Sequence, residues 1–243
     1  MTDNTIANTI ATTIQGSLVR ISIARADRGN MLTICMIGAL TEAIRGLPHD
    51  AKAVHLYGEG PDFCRGRDPQ GGLTAATALE VRERLIEPIL GLYDAISACP
   101  VPVIASVNGA ARGLGAALAG ACDVTIAARS ARFSLPEMEK DLPPTLAISA
   151  LMRRVPTKAL TYLVLSLDEI DADTALGLGL VSLVAEGDAV RAADPLIATL
   201  CSRARPALVA VKDYLRVAPE LSPRPARDLA ANLLAGVLSS RGA

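Results

Sequence analysis

The chain contains no tryptophan, and aromatic residues make up only 2% of its 243 positions. Reading nucleic acid by base stacking needs exposed aromatic platforms, which this composition barely supplies. Charge argues the same way. The formal net charge is −1, so no global positive field draws the chain to nucleic acid or to an anionic membrane. The five cysteines (Cys35, Cys64, Cys99, Cys122 and Cys201) are odd in number and widely spread, with no CxxC pair. That excludes a disulfide framework and a thiolate zinc site, and reduced thiols in a cytoplasmic protein are expected. The start of the chain lacks the cationic stretch and apolar run of a signal peptide. No apolar stretch is long and uninterrupted enough to span a bilayer. The two histidines, His49 in a Pro-His-Asp turn and His55 in a strand, have no G-x-S-x-G turn to join. A Ser-His-Asp hydrolase is therefore not expected.

What is present is aliphatic. Half of the residues are hydrophobic, enough for a large, alanine-rich core. Residues 18–24 alternate as a strand, 25–30 read as a turn, and Ile34, Ile37, Leu40 and Ile44 set a helix over 31–47. A short strand over 52–57 closes at Gly58-Glu-Gly-Pro61. An amphipathic helix over 74–98 carries Leu79, Leu85, Ile86, Ile89, Tyr93 and Ile96, with a kink expected at Pro88. A β-rich run over 102–107 leads to a small-residue helix over 113–121, then a strand over 124–127. Helices are expected over 146–153, 157–166, 171–178, 188–203, 207–217 and 226–238. Strands alternate with helices early and helices dominate late, which predicts one α/β domain with a helical C-terminal part.

Chemistry concentrates in three segments. Residues 103–123 run from a strand through Asn108-Gly109 and Gly113-Leu-Gly115 into a helix. The free N–H groups and positive dipole end of a helix start suit an oxyanion or a phosphate. A close strand–helix turn that needs small residues merely to fit explains the same segment. A dinucleotide fingerprint does not, because its third glycine position is Leu118. The second segment, Gly58-Glu-Gly-Pro-Asp-Phe-Cys-Arg-Gly-Arg-Asp68, holds Gly66, whose backbone freedom can turn the Arg67 N–H outward. The third, Ala131-Arg-Phe-Ser-Leu-Pro-Glu137, offers a carboxylate after an extended stretch. A lone glutamate in a loop is ordinarily just solvated.

Together these segments resemble the crotonase (enoyl-CoA hydratase/isomerase) superfamily. The resemblance rests on NGxAxGxG…LAxxCDxxIAxxxAxFxxPE from Asn108 to Glu137 and on the FCxGxD-like turn from Phe63 to Asp68. It is extended by an Arg-x-x-x-x-Asn opening at Arg25 and Asn30 and by Ala175-Leu-Gly-Leu-Gly-Leu-Val-Ser182. It implies one domain over residues 1–243, with a spiral of ββα units to about residue 190. Helices over 191–243 would pack subunits into a homotrimer or a dimer of trimers. It implies an acyl-CoA substrate, with no cofactor beyond the coenzyme A of that substrate and no metal. The thioester oxygen would sit between the backbone N–H groups of Arg67 and Leu114, with Glu137 as catalytic carboxylate. Substrate contacts would fall on Cys64, Arg65, Arg67, Asp68, Arg112 and Gly113.

The departures matter as much. Leu114 stands where the family usually has glycine, and Ala117 where its hydratases place a second glutamate. A methyl group cannot orient water, so the single Glu137 suits a one-base proton shuttle, which is double-bond isomerisation. Hydration with another residue holding the water, and a non-catalytic acyl-CoA-binding or scaffold member, are the alternatives. Glu139 and Asp141 are candidates for a second carboxylate, although surface charge is their plainer reading. Pro143 and Pro144 stiffen the loop that follows. Arg65, Arg67 and Arg112 suit CoA phosphates or a carboxylated acyl group. The chain stops at Ala243, short of the basic tail of many relatives, and a more open site or a different subunit contact is expected.

Overall fold

A computed structural model describes residues 9–69 and 77–240. The elements in chain order begin with β1 (Ile10–Gln15), β2 (Leu18–Ile23), α1 (Ile34–Arg45), β3 (Ala53–Gly58), α2 (Ala78–Val81) and α3 (Glu87–Ala98). Next come β4 (Val103–Val107), β5 (Ala110–Arg112), α4 (Leu114–Ala121), β6 (Val124–Ala128) and β7 (Arg132–Ser134). There follow α5 (Thr145–Leu151), α6 (Thr157–Ser166), β8 (Ile170–Asp171), α7 (Ala172–Gly177) and β9 (Leu183–Ala185). Four helices close the chain: α8 (Ala189–Ala192), α9 (Asp194–Cys201), α10 (Arg205–Val217) and α11 (Pro223–Ser239).

The main sheet has the order β1-β2-β3-β4-β6-β9. Only the β1–β2 hairpin is antiparallel, and the other pairs are parallel. Strand β4 is buried at every residue, as expected of a parallel strand covered on both faces. A smaller sheet, β5-β7-β8, sits beside it. Helix α1 starts where the Thr33 side chain accepts from the Met36 N–H, and it buries Met36, Ile37, Leu40 and Ile44. Helix α3 packs on α1 and touches α4.

Several elements differ from expectation. Strand β1 was not foreseen, because Ile10-Ala-Thr-Thr-Ile14 buries only its first residue and so shows no one-sided hydrophobic pattern. The expected start of the 74–98 helix lies outside the described residues. Within them, Thr77 and Glu80 form a capping box, and a wide turn over Arg82–Ile86 precedes Pro88. That wide turn takes up the disruption caused by the missing proline N–H. The helix expected over 188–203 breaks into α8 and α9, with Pro195 in the first turn of the second. Strands β5, β7, β8 and β9 are two or three residues long, too short for periodicity to register.

The late helices are tied to the core by one buried cation. Lys212 on α10 is 6% exposed. Its Nζ donates to Asp123 at 2.7 Å and to the carbonyls of Ile96 and Val101 at 3.0 Å each. Helix α11 buries no residue fully and exposes Leu234 and Leu238. Among the described residues no helix is long and apolar enough to cross a membrane.

Candidate functional site

Two turns build the site from opposite sides, and each is braced by buried polar groups. Asn30 is fully buried at φ 55°. Its Oδ1 accepts from the Arg25 N–H at 2.9 Å, and its Nδ2 donates to the carbonyls of Glu59 and Asp62 at 2.8 and 2.7 Å. Arg25 in turn donates to the Met31 carbonyl and pairs with the buried Asp68 at 2.7 Å. Asp62 accepts from the Ala110 N–H at 2.9 Å and pairs with Arg65 at 2.7 Å. The Phe63–Asp68 turn is thereby held by the 25–30 turn on one side and by β5 on the other. Asp68, a substrate contact by resemblance, has its carboxylate engaged by Arg25.

The glycines of the two turns record how closely they meet. The Cys64 N–H donates to the Ala110 carbonyl, and the Arg112 N–H to the Cys64 carbonyl, both at 3.0 Å. A Cβ on Gly115 would lie 2.0 Å from the Cys64 carbonyl oxygen, and one on Gly66 (φ 107°) 3.0 Å from that of Arg112. Leu32 takes up the Gly66 carbonyl and the Asp68 N–H, which leaves the Arg67 N–H pointing the other way. Among the described residues nothing accepts from it. The same holds for the N–H of Leu114, first residue of α4, where helix geometry leaves amides free and the dipole is positive.

Glu137 arrives at this point from a third segment. Gly113 (φ 52°, ψ −116°) donates its N–H to the Ser134 carbonyl at 2.8 Å. A Cβ on Gly113 would lie 2.5 Å from Glu137 Oε1, so the carboxylate rests against the start of α4. Glu137 Oε2 and Ser134 Oγ are buried without partners among the described residues. Burial raises the Glu137 carboxyl above its ordinary value, and a hydrogen bond from its own backbone only partly opposes that. The expectation of a solvated loop glutamate does not hold.

The remaining candidates fall into place around these groups. Leu114 is buried in the core, so its side chain packs inward. Ala117 is fully buried one turn along the helix. Glu139 faces Arg112 at 4.0 Å, while Asp141 caps the Pro136–Lys140 turn with an exposed side chain. Neither brings a second carboxylate to Gly113. Of the three arginines, Arg65 is paired with Asp62 and Arg67 donates to the Asp68 carbonyl at 3.2 Å. Burial pushes the Cys64 thiol up to about 12, too high for a thiolate nucleophile.

Two features lie apart. His55 Nε2 is 2.7 Å from Ser106 Oγ, a pairing that could be mistaken for a hydrolase dyad. Its Nδ1 faces the guanidinium of Arg20 at 3.0 Å, which can only donate. Nδ1 must therefore accept and Nε2 must donate to the serine, so the ring cannot take the serine proton. Burial first, then the Arg20 charge, pulls His55 down to about 4. An open cleft of about 590 Å³ lies by Asn108, Arg129, Glu186 and Asp188. Arg129 there is paired with Glu186 and Asp173, and the cleft holds none of the converging groups.

A sheet spiral in which two backbone turns and one buried carboxylate meet at a helix start defines the class of protein. The family model of enoyl-CoA hydratase/isomerase matches residues 13–240. A probable enoyl-CoA hydratase of Rhodobacter capsulatus is 37% identical over 175 residues, 72% of this chain and 67% of its own. Among solved structures, a putative enoyl-CoA hydratase from Streptomyces coelicolor superposes with TM-score 0.89 at 28% identity, covering 95% of this chain and 86% of that one. Another, from Thermobifida fusca in complex with CoA, gives 0.86 at 26% identity, with 97% and 95% covered. The chain belongs to the enoyl-CoA hydratase/isomerase family and has the crotonase fold.

Proposed function

We propose that this chain is an acyl-CoA enzyme in which the N–H groups of Arg67 and Leu114 hold the thioester oxygen and Glu137 moves the proton. The observation that carries this reading is the Glu137 carboxylate, buried against Gly113 at the start of α4 with Oε2 unpartnered. Family membership and the likeness to a CoA-bound structure support the substrate class. On a 3-enoyl thioester, Glu137 takes the proton from the α-carbon. The negative charge passes to the thioester oxygen between the two amides. Protonated Glu137 then returns its proton to the γ-carbon, giving the 2-enoyl isomer. Oxyanion donors of this kind lower a barrier by about 3–4 kcal/mol each. With Ala117 at the neighbouring position, one carboxylate performs both transfers. The backbone around Cys64, Arg65, Arg112 and Gly113 would line the substrate's approach. The exposed Leu234 and Leu238 of α11 suit packing between copies in a trimer.

Replacing Glu137 with Gln tests the reading. The Glu137→Gln variant should convert 3-enoyl-CoA to 2-enoyl-CoA at least about 100-fold more slowly, with substrate binding retained. The activity of the parent should rise with pH through a carboxyl value above the ordinary range, because the base must be ionised. Undiminished turnover in the variant refutes the role of Glu137. CoA thioester binding without turnover in the parent supports a non-catalytic scaffold instead.

A further inference from the structure

The main sheet ends at β1, which among the described residues pairs with β2 alone. The Gly16-Ser17 turn closes that hairpin with Gln15 opposite Leu18, and the Ala24 N–H donates to the Thr9 carbonyl at 2.8 Å. Antiparallel pairs alternate between bonded and unbonded positions. Ala11, Thr13 and Gln15 therefore bond to β2, while Ile10, Thr12 and Ile14 turn their N–H and C=O groups outward. The same three residues share one face, because side chains alternate along a strand. Their neighbours on β2, Ile23, Ile21 and Val19, all belong to the main core. Ile10 joins that core, yet Ile14 on the same face is 57% exposed. Sheet edges are ordinarily blunted by charge, proline or a bulge. From Thr9 to Ser17 the chain has no charged residue and no proline, and the β1–β2 register runs unbroken from Ile10 to Gln15.

We propose that β1 is an interaction surface for a second copy of this chain, which pairs antiparallel along the open edge with Thr12 facing Thr12 across a two-fold axis. The register follows from the outward groups. Of the antiparallel ladders that match outward positions to outward positions, the one centred on Thr12 engages all three residues of each strand. Ile10 then meets Ile14, Thr12 meets its own counterpart, and Ile14 meets Ile10, each pair exchanging its ladder bonds. The side chains agree with that register. Ile14 of each copy comes to lie beside Ile10 of the other, a position already continuous with a core, and so loses its exposure. A foreign strand would need an apolar residue at that one place, and the second copy carries it. The two-fold closes the contact, because pairing uses up the edge of both chains, and the two six-stranded sheets become continuous. Neither Glu137 nor the Arg67 and Leu114 amides take part, so the contact stands apart from the catalytic reading.

Sedimentation velocity of the full chain, run from micromolar to millimolar concentration to suit a small interface, tests this. The parent should associate as concentration rises. Thr12→Lys should weaken that association at least about tenfold, because it sets like charges opposite each other. Thr12→Asp should do the same, and an equimolar mixture of the two variants should recover the association, since lysine then faces aspartate. That recovery marks a contact in which residue 12 meets residue 12, which no other subunit contact imitates. Amide hydrogen exchange reads the same contact in the unaltered chain. Exchange at Ile10, Thr12 and Ile14 should slow on concentration, while Ala11, Thr13 and Gln15, already bonded to β2, change little. Equal association of the parent and Thr12→Lys overturns the proposal. So does a mixture of the two charged variants that stays apart, or exchange at the three outward amides that ignores concentration.

Discussion

Adding one methyl group at Gly113 separates the geometry of the site from the stability of the fold. At φ 52° and ψ −116° an alanine is strained wherever it points, which costs about 1–3 kcal/mol. For a chain of this size that lowers the melting temperature by roughly 2–12 °C. The new Cβ would also stand 2.5 Å from Glu137 Oε1. A carbon–oxygen contact needs well over 3 Å, so the carboxylate must swing aside by about 1 Å, and a misplacement of that size can cost about 100-fold in rate. Gly16→Ala is the control, because Gly16 has a similar φ of 58° with nothing within 4 Å of its Cβ position. Both variants should lose stability by comparable amounts in a denaturant titration, and only Gly113→Ala should lose the proposed isomerisation of 3-enoyl-CoA. If Gly113→Ala turns over within about threefold of the parent, the carboxylate at the start of α4 is not the reacting group.

Two further outcomes concern stability. Lys212→Met takes the donor from two carbonyls and leaves the Asp123 carboxylate with only the Val103 N–H. It should cost about 3 kcal/mol in chemical denaturation, with part of the loss recovered when Asp123→Asn is added. His55 is about 4 in the fold against 6.5 in the unfolded chain, so the unfolded state binds more protons between those values and stability falls as pH drops through that window. From pH 7 to 4.5 the loss from this group is about 2.5 kcal/mol. Denaturation of a His55→Gln variant at both pH values should show that much less pH dependence, and an equal dependence would mean the ring is not buried neutral.

Much of the site could be read from the chain before its shape was known. The strand into Gly113 and Leu114 was legible because the glycines and the small-residue helix leave a local mark. So was Gly66, whose φ of 107° is the unusual backbone its position called for. Glu137 was legible only through the family pattern, since a carboxylate in a loop looks the same whether it faces water or a helix start. The pairing of Arg25 with Asp68 and the carbonyl clamp of Asn30 were hidden for another reason. They join residues 29 to 43 positions apart through side chains, and periodicity carries no information at that range.

By itself the order of amino acids determined the local conformations: which turns need glycine, where helices cap, and which strands are apolar on both faces. These follow from backbone sterics and from the period of hydrophobic residues, which depend on near neighbours. Only the tertiary structure decided which of these pieces share a point in space. The order of strands in the sheet sets the Cys64 turn against Gly115, lays Glu137 on Gly113, and hands His55 a guanidinium that fixes its tautomer. Those are meetings of distant segments, and burial gives them their chemistry by stripping water from groups that would otherwise be ordinary.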